Sequence, residues 1–290
     1  MKTMTASSFF RAGSVGVALV FGGWNSSANA SAPAIAAPKP GETTSTSPLH
    51  QAIQAGQLDV ARVLLTSNPK LASAYDTAGQ TPLHLAAETG NLEAIKLLLE
   101  YKAPLEAKNR TTGYTPLAAA AARGHVATVQ FLLKQGAAED ARAGKLETPL
   151  FLAARQGHLN VVKSLIEAHA GIDITDNEGR TPLIAAARDG HLTTVQFLLD
   201  NGAQPNASMI TGESALCLAV PGGHVEIVRA LLEMGSLATF RTSSGDTPLS
   251  IARKLGNRPM IALLEKAGAR LTEPGPEGSM GTATPAEARK

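Results

Sequence analysis

The stretch Leu92 to Glu100 (LEAIKLLLE) sets Ile95, Leu98 and Leu99 on one side at steps of three and four residues, and leaves Glu93, Lys96 and Glu100 for solvent. That spacing predicts a short amphipathic helix. Another helix is predicted just before it. Thr81 offers an oxygen to the free N–H groups of a first turn, Pro82 takes the first helical position where its missing donor does no harm, and Gly90 supplies a left-handed stop. The pair should fold back as two antiparallel helices. Ala86 and Ala87, echoed as Ala153-Ala154 and Ala185 to Ala187, are small enough to let neighbouring helices approach closely.

The same punctuation recurs along the chain. Prolines 48, 82, 116, 149, 182 and 248 are each followed by Leu, with Ala215-Leu216 filling the sixth place, at steps of 34, 34, 33, 33, 33 and 33 residues. Glycines 56, 90, 124, 157, 190, 223 and 256 keep the same steps, eight residues behind. Two markers in phase over seven units predict a solenoid of stacked helical modules, none of which covers its own apolar face alone.

Composition narrows the chemistry. The 290 residues carry 26 Lys and Arg against 24 Asp and Glu, and removing Lys2 and Arg11 with a leader leaves 24 against 24, no surplus for binding nucleic acid phosphates. Cys217 is the sole cysteine, so neither an internal disulfide nor a cysteine-based zinc site can be built. Lys2 and Arg11, the uncharged stretch from Ala12 to Gly23, and Ala28-Asn29-Ala30 form the three-part pattern of a secretory signal over 1–30, cleaved after Ala30. That stretch is too short for a membrane span of roughly 20 residues. The expected location is therefore the bacterial periplasm or the outside, without membrane attachment after cleavage. Residues 31–47 and 272–290 are rich in Pro, Ala, Ser, Thr and Gly and read as a flexible linker and a disordered tail around a folded body at 48–271.

Thr81-Pro82-Leu83-His84-Leu85-Ala86-Ala87, the Gly-His pairs ending at His125, His158, His191 and His224, and the pairs Val161-Val162 and Ile227-Val228 resemble ankyrin repeats. The resemblance implies a β-hairpin finger plus a helix-turn-helix per unit in a curved stack, about seven units including caps at Pro48 to Asp76 and Thr247 to Leu271. Several places depart from the pattern. Ser214-Ala215 replaces Thr-Pro and Pro221 falls late in the first helix of that unit, which should shorten it. Lys102 and His169 stand where a left-handed glycine is expected. Asn68-Pro69 marks a lengthened turn.

No catalytic or metal-binding constellation emerges. The histidine row lies on units stacked about 8 to 10 Å apart, too far to share one zinc ion at about 2.1 Å per ligand; each histidine is expected to bond within its own loop. Cys217 is expected as a small core residue and the Glu139-Asp140 pair as solvated. The chain has no Gly-x-Ser-x-Gly elbow, and no cofactor is expected.

What remains is surface. The resemblance places partner contacts on a concave wall made of finger tips and the ends of first helices. Carried over position by position, Arg123, Arg155, Arg188 and Lys254 form a basic stripe, with Glu88, Gln156 and Asp189 beside them. The fingers add Tyr114, Lys145, Glu147 and Arg180, together with Met209 and Ile210, which either pack on the adjacent finger or join a contact patch. The expected function is a non-catalytic scaffold, monomeric by itself, that binds another protein. The resemblance extends to exported bacterial ankyrin proteins that assist a stress-defence enzyme such as catalase. An immunity-type antagonist of a toxin, or an effector directed at host proteins, stays open.

Overall fold

The computed structural model describes residues 47–268. The expected signal, the linker up to residue 46 and the tail lie outside the described residues. Among the described residues fourteen α-helices follow one another in seven pairs: α1 (Pro48–Gln54) and α2 (Leu58–Ser67), α3 (Pro82–Thr89) and α4 (Leu92–Glu100), α5 (Pro116–Arg123) and α6 (Val126–Lys134), α7 (Pro149–Arg155) and α8 (Leu159–Glu167), α9 (Pro182–Arg188) and α10 (Leu192–Asp200), α11 (Ala215–Ala219) and α12 (Val225–Glu233), α13 (Pro248–Lys254) and α14 (Arg258–Lys266). The lengthened turn of the first unit is a 3-10 helix, Pro69–Ser73.

The first helices start as their sequence dictates. The hydroxyls of Thr115, Thr148 and Thr181 accept from the N–H groups of Ala118, Phe151 and Ile184, with proline at the first helical position of each. Gly90 and Gly124 close α3 and α5 at φ 71° and 79°. Lys102 and His169 adopt positive φ without glycine, as expected, and Leu146 does so as well, at φ 60°. Leu146 occupies the finger position held by Gly79, Gly113, Gly179, Gly212 and Gly245 in other units.

Packing explains the stack. From α1 to α11, consecutive first helices approach each other more closely than consecutive second helices do. Ala86, Ala87, Ala120, Ala121, Ala153, Ala154, Ala186 and Ala187 are fully buried along that row, so no large side chain holds the backbones apart. Second helices bury more than a single stripe: in α4, Ala94 and Leu97 join Ile95 and Leu98 in the core, because the helix touches a neighbour on each side. The equivalent places in the first unit, Val60 and Val63, have no earlier unit against them among the described residues and are 47% and 69% exposed.

The fingers differ from the expected hairpins. Among the described residues the only bridge is an isolated antiparallel pair, Ser208 with Ser214. Each finger is a tight turn closed by its own backbone bond, such as Ala143 N–H to the Glu147 oxygen at 3.0 Å and Asp176 N–H to the Arg180 oxygen at 3.0 Å. The arms are too short for a ladder, and the remaining backbone groups bond to the next finger instead. Pro221 has the expected effect, since α11 is five residues long.

Candidate functional site

Fingers and first-helix ends together form one wall. Each finger is tied to the next by a backbone bond: Gly144 N–H to the Thr112 oxygen at 3.0 Å, Asn177 N–H to the Lys145 oxygen at 2.9 Å, and Ile210 N–H to the Glu178 oxygen at 3.0 Å. Glycine is required for this approach at Gly113, where a Cβ would come within 2.7 Å of the Gly144 nitrogen. The last finger residue then stands over the last turn of its own first helix, eight residues on. Gln80 donates to Glu88 at 2.9 Å, Arg155 donates to Glu147 at 2.6 Å, and Lys254 donates to Asp246 at 2.5 Å.

This register changes the expected basic stripe into a row of ion pairs. Arg123 reaches back one unit to Glu88, Arg155 holds Glu147, Arg188 holds its neighbour Asp189 at 2.9 Å, and Lys254 holds Asp246. All four expected cations are present on the wall, but each carries a carboxylate, so the surplus of positive charge is absent. Burial pushes the Glu88 carboxyl upward, yet the bonds from Arg123 and Gln80 outweigh it and hold the group below its usual range. Lys254 likewise holds Asp246 low, and the Asp189 carboxylate raises Arg188.

Two expected finger contacts are internal. The Glu147 side chain is 4% exposed and that of Arg180 is 10% exposed, because both close polar networks under the wall. Tyr114 Oη–H donates to the second oxygen of Glu147 at 3.0 Å, and burial and that neighbouring carboxylate raise the phenol's pKa. Arg180 donates to Asp176 at 2.8 Å. Phe151, fully buried, lies between the two cations, its ring 5.8 Å from Arg155 and 5.5 Å from Arg180. The sequence alone did not single out Phe151 or Asp176, although Arg180 at an i+4 step from Asp176 was a usable signal.

Surface remains at Arg123, Gln156, Asp189, Lys145 and Lys254, which are exposed, while Glu88, Arg155, Arg188 and Tyr114 are half-buried. The two apolar finger residues part company. Met209 is half-buried against the core and Ile210 is 79% exposed.

The histidines correct another expectation. Their bonds cross to the preceding unit: Nε2–H of His125, His158, His191 and His224 donates to the carbonyls of Glu88, Ala122, Arg155 and Arg188 at 2.8, 3.3, 2.9 and 3.2 Å. Each follows a left-handed turn that points the ring backward, over the loop of its neighbour. His50 and His84 reach forward to the Gln80 and Tyr114 carbonyls at 3.0 and 2.8 Å. Asp140 is also not merely solvated, since it accepts from the Gly171 N–H at 3.0 Å in the next unit. Cys217 is buried, and burial raises its thiol pKa, which disfavours the reactive thiolate. Among the described residues no group of His, Cys, Asp and Glu is arranged to hold a metal ion, and no helix is long and apolar enough to cross a membrane.

Comparison with known proteins bears on the whole stack. A family model described as ankyrin repeats (3 copies) matches residues 49–143, 139–209 and 204–274. The crystal structure of the ankyrin repeat domain of Bcl-3, described as a unique member of the IkappaB protein family, superposes with a TM-score of 0.65 at 32% identity, covering 76% of this chain and 98% of that one. No curated protein sequence matches.

Proposed function

The chain belongs to the ankyrin-repeat family, and from that premise we propose that it is a non-catalytic scaffold that grips another protein on the wall of fingers and first-helix ends. One observation carries the reading: Arg123, Gln156, Asp189 and Lys254 stand exposed on one wall, where ion pairs already fix Arg123, Asp189 and Lys254. A surface ordered before docking loses little entropy on binding, and alternating charges guide the approach of a complementary partner.

We place this activity in the periplasm or outside the cell, on the strength of Lys2, Arg11, the apolar stretch from Ala12 to Gly23 and Ala28-Asn29-Ala30. A resident enzyme of that compartment, such as a catalase-type stress-defence enzyme, is the partner class we favour, because the chain resembles exported bacterial ankyrin proteins linked to such enzymes. The test is chemical crosslinking in the cell envelope, comparing the unaltered chain with Gln156→Glu and Lys254→Glu combined. These exposed changes leave the core untouched, so loss of a captured enzyme supports the wall as its seat. Equal capture by both chains refutes it.

A further inference from the structure

The wall has a gap at its sixth unit. The eight-residue register that pairs finger and helix in the second, fourth and seventh units reads Glu213 and Pro221 in the sixth, where α11 stops at Ala219 and the proline side chain has no donor for the finger. The Oε2 atom of Glu213 is shut off from water yet accepts no hydrogen bond. A carboxylate oxygen in that state is expensive, since its lost hydration is not replaced. Gly222 adds depth to the gap. It occupies the place held by Thr89, Arg123, Gln156, Asp189 and Leu255 in other units, and a Cβ there would collide with the His224 imidazole.

Two further features describe what fits. On the rims of the gap stand Ile210, 79% exposed in the same finger as Glu213, and Leu255, 57% exposed at the matching place in the next unit. The charged groups of this part of the wall are the carboxylates of Asp176, Glu178, Asp189, Glu213 and Asp246 against the cations of Arg180, Arg188, Arg241 and Lys254, five against four. Arg180, Arg188 and Lys254 are held in ion pairs, Arg241 donates to the Gly245 carbonyl at 3.2 Å, and Glu213 enters no ion pair among the described residues.

We propose that the sixth repeat is the anchor point for the partner, and that the half-buried Glu213 side chain turns outward to receive an arginine or lysine side chain, with an adjoining aliphatic residue against Ile210. This rests on the scaffold reading and names the chemistry of its contact. A cation delivered there replaces the missing donor of the wall's own register. The aliphatic neighbour covers apolar surface that no other part of the stack covers.

The probe is a phage-displayed random peptide library selected on the purified chain. Selected peptides should carry Arg or Lys beside Leu, Ile or Val, and should bind less tightly as salt is raised. Glu213→Gln and Ile210→Ser should each weaken binding by about tenfold, the scale of one charge-assisted hydrogen bond or one buried side chain. Pro221→Arg, which supplies the missing partner internally, should raise the melting temperature and block the peptides. Glu213→Gln should melt no lower than the parent, which separates lost contact from lost fold. Peptides without a cation, or binding indifferent to Glu213→Gln, overturn the proposal. If such peptides are instead weakened by Gln156→Glu, the scaffold reading stands and only the anchor is misplaced. If no wall substitution matters, both readings fall.

Discussion

The Nε2–H of His125 donates to the carbonyl oxygen of Glu88 at 2.8 Å, one unit back, while the ring lies so close over Gly90 that a Cβ on that glycine would stand 2.7 Å from Nδ1. Glycine and histidine therefore act across units, one vacating the space that the other fills. The carbonyl that accepts belongs to the residue whose carboxylate holds Arg123, so the same residue joins the stack by its backbone and shapes the wall by its side chain.

This arrangement gives the stack a pH dependence of known sign. Burial lowers the pKa of both His84 and His158 from 6.5, and Nδ1 of His84 already accepts from the Thr81 N–H at 3.2 Å, so a proton there removes a bond. Folded pKa values below the unfolded one mean that the unfolded chain takes up protons first. The stabilisation is complete above 6.5 and is lost as pH falls below that value. Urea midpoints should drop between pH 7.5 and pH 5.5. His158→Asn, which copies Asn91 and its bond to the Ala94 N–H at 3.0 Å, should flatten the dependence. An unchanged slope in that variant contradicts the assignment.

Buried and exposed pairs on the wall should differ in cost. Removing Arg155 strands the buried Glu147 carboxylate, so Arg155→Ala should cost about 3 to 5 kcal/mol. Lys254→Ala breaks a pair whose cation is 66% exposed and should cost about 1 kcal/mol or less. Denaturant titration separates the two. Similar losses at both sites would show that burial of the Glu147 network does not set its energy.

Truncating Phe151 should cost as much as removing Arg155. Its ring is fully buried, with Arg155 and Arg180 near it, and Phe151→Ala should remove about 3 to 5 kcal/mol. A loss near 1 kcal/mol would mean that neighbouring units close the cavity.

Leu146→Gly should stabilise the chain. A leucine at φ 60° costs about 1 to 2 kcal/mol, and glycine returns part of that as unfolded-state entropy, leaving a gain of about 0.5 to 1 kcal/mol. A higher urea midpoint is the expected result, and a lower one would show that the 43% exposed side chain makes contacts worth more than the strain.

Residues 47–268 were legible in the sequence as repeats because proline and glycine act locally. Pro82, Thr115 and Gly124 do their work within one helix, so their spacing alone gave seven units, and Pro221 marked the short one. The wall was less legible, because its chemistry arises between residues brought together by stacking. Nothing within one unit says that Arg123 meets Glu88, that Tyr114 meets Glu147, or that a histidine bonds backward. Glu147 and Arg180 looked like finger-tip residues by position, but the eight-residue and four-residue steps to Arg155 and Asp176 fold them inward. Hairpin arms were expected by resemblance, and turns joined edge to edge replace them because each finger spends its backbone bonds on its neighbour.

The scaffold reading is tested most directly by site-specific photocrosslinking in cells that produce the protein. A photoreactive amino acid at position 156, on the wall, is compared with one at position 160, an exposed place on α8. The account predicts a discrete protein adduct from position 156 and none from position 160. Adducts from position 160 alone, or equal adducts from both, would contradict it.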